Sequence, residues 1–192
     1  MLRRLYDWIM RLAESPRALW ALAAVSFAES SFFPIPPDPM LIPMVLANRR
    51  RAWAFASVAT IASVLGGIAG YFIGYSLESL GQSILAFYGH RDAMAEFQAM
   101  FAEWGLWIIL IKGLTPIPYK FVTIASGMAE FDLNIFIMAS IATRGGRFFI
   151  IATLLYFFGE PVRAFIEKRL TLVTTLFVVL LVGGFVALKY IF

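Results

Sequence analysis

Long uncharged runs along the chain alternate with apolar runs that proline interrupts. Residues 52–77 carry no charged side chain over 26 positions, and residues 171–188 carry none over 18. A helix needs about 20 apolar residues to cross the hydrocarbon core of a bilayer. A third run of suitable length carries Arg144 and Arg147 near its middle. The transmembrane helices predicted in this way are 52–77, 133–159 and 171–192.

Two further apolar segments, 18–48 and 105–129, are broken by closely spaced prolines. Proline has no backbone N–H donor and blocks the helix that precedes it. Non-helical backbone at membrane depth is tolerated only where protein or a water-filled cavity surrounds it. Each segment is therefore predicted to form a re-entrant hairpin, which enters the membrane and leaves on the same side. The hairpin turns are assigned to Pro34, Pro36, Pro37, Pro116 and Pro118.

The two predicted hairpins share a pattern of charge and proline. Glu29 and Asp38 flank Pro-Ile-Pro in the first, and Lys112 and Lys120 flank the same tripeptide in the second. Matching broken segments in the two halves of a chain are typical of inverted-repeat transporters. The predicted fold class is an all-α polytopic membrane protein, an inverted repeat with two oppositely inserted re-entrant hairpins. The whole chain, 1–192, is predicted to be one membrane domain.

Polar and apolar positions alternate with helical spacing in two other segments. In residues 1–15, leucine and tryptophan lie on one face, with arginine and aspartate opposite, which is typical of an amphipathic helix on the membrane surface. Residues 78–104 mix acidic and apolar positions and are predicted to form interfacial helices.

Composition agrees with a membrane location and excludes several functions. Of the 192 residues, 61% are hydrophobic and 15% are charged, whereas soluble domains carry about 25% charged residues. The chain has no cysteine and one histidine, His90, so a zinc or disulfide site is not expected. No phosphate-binding loop and no zinc- or serine-hydrolase motif appears. We therefore expect no metal, no cofactor and no enzymatic activity.

The net charge of +4 is distributed unevenly. With the N-terminus in the cytoplasm, ten of the sixteen Lys and Arg residues lie inside and two, Arg91 and Lys189, lie outside. This distribution agrees with the positive-inside rule. Basic clusters beside apolar runs suit anionic lipid, so no nucleic-acid partner is expected.

Ionisable side chains within the apolar segments are the candidate functional groups, because charge is costly in a bilayer. Glu29 and Asp38 are candidates for carrying protons; the alternatives are a structural hydrogen bond for Glu29 and helix capping for Asp38. Arg144 and Arg147 lie one turn apart on one helix face. Their guanidinium groups suit bidentate binding of a phosphate, and the alternative is internal salt bridges to the two carboxylates.

Two other sets of residues complete the candidates. Lys112 and Lys120 are assigned to binding a lipid headgroup, with snorkelling to the outer interface as the alternative. Four basic and two acidic groups in the membrane region favour an anionic ligand. Gly66, Gly70 and Gly74 form a small-xxx-small face for close helix packing. A homo-oligomer is compatible with this pattern.

Several of these motifs, in this order, resemble the DedA family, also called VTT-domain or SNARE-associated-Golgi-type proteins. They cover about residues 18–160 and are most similar to the short YqaA-like branch. The motifs are Glu29-Ser-Ser-Phe-Phe-Pro34-Ile-Pro36-Pro37-Asp38, Gly66-x-x-x-Gly70-Tyr71-x-x-Gly74, Pro116-Ile-Pro118-Tyr-Lys120 ending at Ser126-Gly127, and Arg144-x-x-Arg147-Phe148.

This resemblance implies a bacterial inner-membrane protein with two oppositely inserted hairpins. Members of the family are regarded as lipid transporters: some move undecaprenyl phosphate or phospholipid headgroups with protons, and eukaryotic relatives scramble phospholipids. By this analogy Glu29 and Asp38 are proton-linked acids, and Arg144 and Arg147 are essential basic groups. The chain departs from many members in its second hairpin, where lysines replace arginines.

The predicted function is therefore a flippase that translocates an anionic lipid, a polyprenyl phosphate or a phospholipid, with protons as the coupling ion. Two alternatives stay open: a non-transporting scaffold for envelope assembly or division, and a lipid-modifying enzyme. Buried charge favours transport over a scaffold, and the missing nucleophile and metal ligands count against the enzyme.

Overall fold

The computed structural model describes residues 15, 17–32, 36–87, 93–114, 119–168 and 175. These residues form helices and connecting turns without any β-strand, which confirms the all-α prediction for this part of the chain. The predicted segments 1–15 and 171–192 lie outside the described residues except for positions 15 and 175, and so do Pro34, Pro116 and Pro118. The helices are α1 (Ala18–Ser31), α2 (Asp38–Ala47), a 3₁₀ turn (Arg49–Arg51), α3 (Ala52–Phe87), α4 (Ala93–Leu114), α5 (Tyr119–Met128) and α6 (Leu133–Lys168).

Three stretches in the described part of the chain are long and apolar enough to cross a bilayer. They are Arg49–Ser79, Met94–Ile111 and Leu133–Val162, in α3 with its preceding turn, α4 and α6. In contrast, α1 has 14 residues and α2 has 10, which corresponds to about 21 Å and about 15 Å of helix. Neither short helix covers a hydrocarbon core of roughly 30 Å by itself.

The observed helix ends differ from the predicted segment ends in two places. Helix α3 continues past residue 77 to Phe87. Helix α4 is continuous across residue 104, where the interfacial helices were predicted to meet the second hairpin. Gly105 does not end this helix; it makes room for Phe131, whose ring would lie 2.8 Å from a Cβ at that position. Residues 93–104 therefore share one helix with the first arm of the predicted second hairpin.

Helix α6 is bent near its C-terminal end. Phe158 has non-helical backbone angles, φ −109° and ψ 16°, and Pro161 follows it within the helix. Because proline lacks the N–H that would bond the carbonyl four residues earlier, it accounts for this bend.

Helix α3 is the centre of the bundle and contacts α1, α5 and α6. One buried cluster joins the first half of α3 to α1, α2 and α6, and a second joins the rest of α3 to α4, α5 and α6. Along both α3 and α6, the polar residues described below lie between these clusters. The largest members are Leu22, Leu41, Phe55 and Phe148 in the first, and Tyr71, Phe101, Tyr119 and Phe136 in the second.

Glycines on one face of α3 let two other helices approach it closely. A Cβ on Gly66 would lie 2.2 Å from the carbonyl oxygen of Phe27 in α1, and one on Gly74 would lie 2.0 Å from that of Ile124 in α5. Gly70 lies between them on the same face. The glycine face therefore brings α1 and α5 against one central helix.

Candidate functional site

Two ion pairs join α6 to the helices on either side of the first proline turn. Arg144 Nη2 donates to Glu29 Oε2 at 2.7 Å, and the two residues are only 3% and 5% exposed. One turn further along α6, Arg147 Nη2 donates to Asp38 Oδ2. This second pair is less enclosed, with 23% and 15% of the side chains exposed. The four groups therefore form an inner pair and an outer pair.

Glu29 has two hydrogen-bond donors besides Arg144. It lies in the last turn of α1, where the helix dipole disfavours a negative charge. The Ser30 hydroxyl donates to Oε2 at 3.1 Å, and the backbone N–H of Tyr119 donates to Oε1 at 3.1 Å. Tyr119 is the first residue of α5, so the carboxylate lies at a helix N-terminus, where free N–H groups bind anions. Glu29 therefore connects the end of α1 to the start of α5.

Two serine hydroxyls connect the same pair of charges by a second route. Arg144 Nε donates to Ser63 Oγ at 2.6 Å, and the Ser63 and Ser30 hydroxyl oxygens lie 2.6 Å apart. Because Ser30 gives its proton to Glu29 and a guanidinium accepts none, the Ser63 proton points to Ser30. Arg144, Ser63, Ser30 and Glu29 thus form a closed ring of hydrogen bonds.

Two aromatic rings cover the Arg144 guanidinium. Its Cζ atom lies 4.9 Å from the ring centroid of Tyr119 and 4.8 Å from that of Phe148. Cation–π contacts at such distances stabilise a cation that has lost its water. The Tyr119 hydroxyl is in turn 2.7 Å from Ser140 Oγ on α6. Charge, hydrogen bonds and aromatic contacts therefore all hold Arg144 in place.

Helix α5 also binds the C-terminal end of α1. Lys120 Nζ donates to the carbonyl oxygen of Phe32 at 3.3 Å, and Thr123 Oγ1 donates to that of Ser30 at 3.0 Å. The last carbonyls of a helix lack partners within it, so these side chains supply them. Lys120 was predicted to bind a headgroup or to snorkel outward; in the structure its ammonium group contacts the C-terminal end of α1.

The structure therefore brings the four ionisable candidates of the first hairpin and α6 together, in the arrangement of the salt-bridge alternative. Asp38 is not a helix cap: α2 begins at Asp38 itself, its N-cap is Pro37, and no capping bond forms. The carboxylate turns to Arg147 instead, and among the described residues its buried Oδ1 atom has no hydrogen-bond partner. The Lys112 side chain lies outside the described residues.

Four residues that contact Glu29 or Arg144 were not identified as site members from the sequence: Ser30, Ser63, Tyr119 and Phe148. Ser63 lies three residues before Gly66, so it shares the glycine face of α3, and that shared face is the signal that marks it. Ser30 adjoins Glu29, and Tyr119 follows the second Pro-Ile-Pro. Within the described residues, no group of three or more His, Asp or Glu side chains is placed to hold a metal ion.

Spanning helices around buried ion pairs define a multi-pass helical membrane protein. The chain matches the VTT domain over residues 35–157, a range that includes Asp38, Ser63 and both arginines. It therefore belongs to the VTT-domain family, the DedA family, which is linked to membrane transport. Glu29 precedes the matched range.

Two relatives match almost the whole chain. A protein of Haemophilus influenzae with the name "Uncharacterized protein" is 35% identical over 185 residues, which cover 96% of each chain. The "Uncharacterized protein HI0703 homolog" of Histophilus somni is 34% identical over 185 residues, which cover 96% of this chain and 97% of that one. No solved structure matches.

Proposed function

We propose that this protein translocates an anionic lipid across a bacterial inner membrane and that protons drive the movement. The observation that carries the proposal is the pairing of two arginines of α6 with Glu29 and Asp38 inside the bundle. Ionisable groups in membrane proteins are costly and mark transport pathways. A scaffold for envelope assembly needs no such groups, and its own packing would be served by apolar contacts.

The two ion pairs explain how protons and lipid are coupled in this proposal. When both carboxylates are ionised, they balance the charge of Arg144 and Arg147. Protonating Glu29 and Asp38 removes those two negative charges, and the site then favours a phosphate, which guanidinium groups bind bidentately. Protons and phosphate therefore bind together, so the affinity for lipid rises as the pH falls.

The outer pair is the entry point for the headgroup. Arg147 and Asp38 are partly exposed, whereas Arg144 and Glu29 are almost fully enclosed. Within the part of the chain that the structure describes, Asp38 Oδ1 has no hydrogen-bond partner, so protonation there displaces none of the bonds described above. The phosphate contacts Arg147 first and reaches Arg144 only when α1 moves relative to α6.

The proposal includes two re-entrant hairpins inserted from opposite sides of the membrane. The short lengths of α1 and α2 support the first, because each is shorter than a bilayer is thick. A repeated order of helices supports the second: α2 and α5 both have 10 residues, and each precedes a helix of 36. The charge asymmetry of the chain favours an N-terminus in the cytoplasm.

The test measures lipid binding and transport in the unaltered protein and in Glu29→Gln. The glutamine side chain resembles a protonated carboxylate. In the unaltered protein, lipid phosphate bound in native mass spectrometry is expected to increase as the pH is lowered. Glu29→Gln is expected to insert and fold, to bind more lipid than the unaltered protein at high pH because only Asp38 still has to take a proton, and to lose transport or its pH dependence in proteoliposomes. Exposed Glu96, on α4, gives the control variant Glu96→Gln, which is expected to behave like the unaltered protein.

Three outcomes contradict the proposal or a part of it. Transport by Glu29→Gln with an intact pH dependence would reduce Glu29 to a structural role. If none of a panel of polyprenyl phosphate, phosphatidylglycerol and phosphatidylethanolamine moves in proteoliposomes, the scaffold is the better description. Chemical conversion of a lipid in the same vesicles would instead reveal the enzyme.

A further inference from the structure

The start of α3 and the end of α6 lie at the same level of the molecule. The spanning stretch of α3 begins at Arg49, and that of α6 ends at Val162. Arg49 Nη2 bonds Glu160 Oε1 at 2.5 Å. Gly159 makes room for this contact, since a Cβ there would lie 2.9 Å from Arg49 Cδ. Because two antiparallel spans are connected at this level, one surface of the bilayer is expected here.

Aromatic side chains lie at the same level. The ring centroid of Trp53 lies 6.1 Å from that of Phe149 and 5.9 Å from that of Tyr156. Trp53 and Tyr156 are 42% and 39% exposed, so part of each ring faces the surroundings. Tryptophan and tyrosine are enriched where lipid headgroups meet the acyl chains, so this cluster marks the headgroup layer.

Two exposed arginines stand beside this cluster. Arg50 and Arg51 follow Arg49 in the 3₁₀ turn, and among the described residues neither has a partner in an ion pair. The Cζ atom of Arg51 lies 5.8 Å from the ring centroid of Phe55, so its side chain follows the first turn of α3. Since Arg49 already pairs with Glu160, the two positive charges of Arg50 and Arg51 remain available at the headgroup layer.

We infer that Arg50, Arg51, Trp53 and Tyr156 form a binding surface, the arginine corner, for the headgroup of an anionic phospholipid. Guanidinium groups match the geometry of a phosphodiester, and an anionic leaflet attracts each basic residue that lies near its surface. The amphipathic rings of Trp53 and Tyr156 suit contact with the glycerol and upper acyl chain. This surface lies outside the four-residue site of α1, α2 and α6, and it holds lipid whether or not the protein transports any.

The experiment uses tryptophan fluorescence in bilayers of defined composition. In a variant that keeps Trp53 and has phenylalanine at the other tryptophans, brominated lipid quenches Trp53 when it is adjacent. Brominated phosphatidylglycerol is expected to quench Trp53 at a lower mole fraction than brominated phosphatidylcholine. Arg50→Gln and Arg51→Gln are each expected to reduce this preference by about fivefold, and added salt to weaken it. The tryptophans replaced are Trp8, Trp20, Trp104 and Trp107.

Lys168→Gln is the matched control: Lys168 is an exposed basic residue at the same end of α6, but it lies eight residues beyond Glu160, about 12 Å along a helix, and outside the proposed surface, so its loss is expected to leave the preference unchanged. Equal quenching by the two brominated lipids would overturn the inference, as would a preference that survives in the double variant Arg50→Gln/Arg51→Gln. If the single-tryptophan chain does not fold, native mass spectrometry of the chain with its own tryptophans counts retained phosphatidylglycerol. The double variant is then expected to retain fewer molecules, and an unchanged count would overturn the inference.

Discussion

Arg144 and Arg147 carry the same charge one turn apart, but their surroundings differ. Arg144 is enclosed between two aromatic rings and bonded to Ser63 and Glu29. Arg147 lies in the outer, partly exposed pair. Lysine keeps the charge of arginine but has neither the planar fork nor the stacking surface. Substitution by lysine therefore tests packing at Arg144 and the proposed ligand binding at Arg147.

Arg147→Lys is expected to express normally and to keep its thermal stability. Its lipid binding and transport are expected to fall by about tenfold to a hundredfold, as for one lost charge-assisted hydrogen bond. Arg144→Lys is also expected to lose activity, together with about 1–3 kcal/mol of stability, because Ser63 and the two rings lose their partner. Native mass spectrometry, transport and thermal unfolding of both variants measure these effects. Stable, fully active lysine variants at both positions would rule out bidentate capture of a phosphate.

Ser63 gives Arg144 an acceptor that does not depend on the charge of Glu29. Ser63→Ala and Glu29→Gln each leave Arg144 with one of these two partners, and the double variant removes the charge of one and the hydroxyl of the other. The double variant is therefore expected to lose more stability than the two single variants combined, with a coupling of about 0.5–3 kcal/mol. Thermal unfolding of the four proteins in detergent measures this coupling.

Ser126→Ala is the control for this cycle. Ser126 is a fully buried serine, and its hydroxyl donates, among the described residues, only to the Val122 carbonyl of its own helix. The loss of stability caused by Ser126→Ala is expected to add to the loss caused by Glu29→Gln, without any coupling between the two. If the losses of stability in Ser63→Ala and Glu29→Gln are also strictly additive, the ring of hydrogen bonds does not act as a unit.

The charged members of the site could be predicted because charge in an apolar segment is costly and therefore conspicuous. Their pairing could not be predicted, because it depends on how α1 and α2 lie against α6. The hydroxyl partners were harder still. Thr60 and Ser63 are both hydroxyl residues in one uncharged span, yet Thr60 bonds the carbonyl of Ala56 in its own helix and only Ser63 contacts Arg144.

At the scale of the helices, the glycine face of α3 sets the distance to α1. Gly66→Ala would place a Cβ 2.2 Å from the Phe27 carbonyl oxygen, and backbone cannot move aside as a flexible side chain can. We expect a loss of about 1–3 kcal/mol from this overpacking. Because α1 carries Glu29, its displacement is also expected to weaken the pair with Arg144 and to reduce transport.

Gly146→Ala is the matched control, since no described residue lies within 4 Å of a Cβ at that position in α6. It is expected to be neutral or to stabilise by up to about 1 kcal/mol through helix propensity. Thermal unfolding and transport of both variants give the comparison. Equal stability of Gly66→Ala and Gly146→Ala would mean that α1 can move away from α3 at little cost.

The existence of α3 and α6 was predicted from their long apolar runs, but their ends were not, and the spanning stretch Met94–Ile111 of α4 was not predicted. Acidic residues between 78 and 104 indicated separate interfacial helices, whereas α4 runs from Ala93 to Leu114. Glu96 and Glu103 are exposed on that helix, so they leave its backbone uninterrupted. Charge along a sequence indicates which faces meet water or headgroups, and it gives little information on where a helix stops.

At the scale of the whole molecule, the ion pair of Arg49 and Glu160 requires that both residues lie on one side of the membrane. Single cysteines at positions 17, 50 and 160 are therefore expected to react with an impermeant reagent only from the cytoplasmic side. A cysteine in place of Glu96 is expected to react only from outside. The chain has no cysteine of its own, so labelling of intact cells and inverted vesicles reads each position separately.

A cysteine in place of Ile61, which is 61% exposed within the spanning part of α3, is the control and is expected to stay unlabelled from both sides. Labelling of position 50 from outside would mean that the first hairpin crosses the membrane rather than returning. The re-entrant arrangement would then be wrong, although the buried ion pairs would remain.

The balance of charges among Glu29, Asp38, Arg144 and Arg147 has an electrical consequence. With both carboxylates ionised, two negative and two positive charges sum to zero. With both carboxylates protonated and a doubly charged phosphate bound, the sum is zero again. Carrying one net charge across a membrane potential changes the free energy by about 2.3 kcal/mol per 100 mV. In the proposed cycle, a site that is neutral both empty and loaded with a doubly charged phosphate is insensitive to this voltage, so the difference in proton concentration alone would drive the movement of such a lipid.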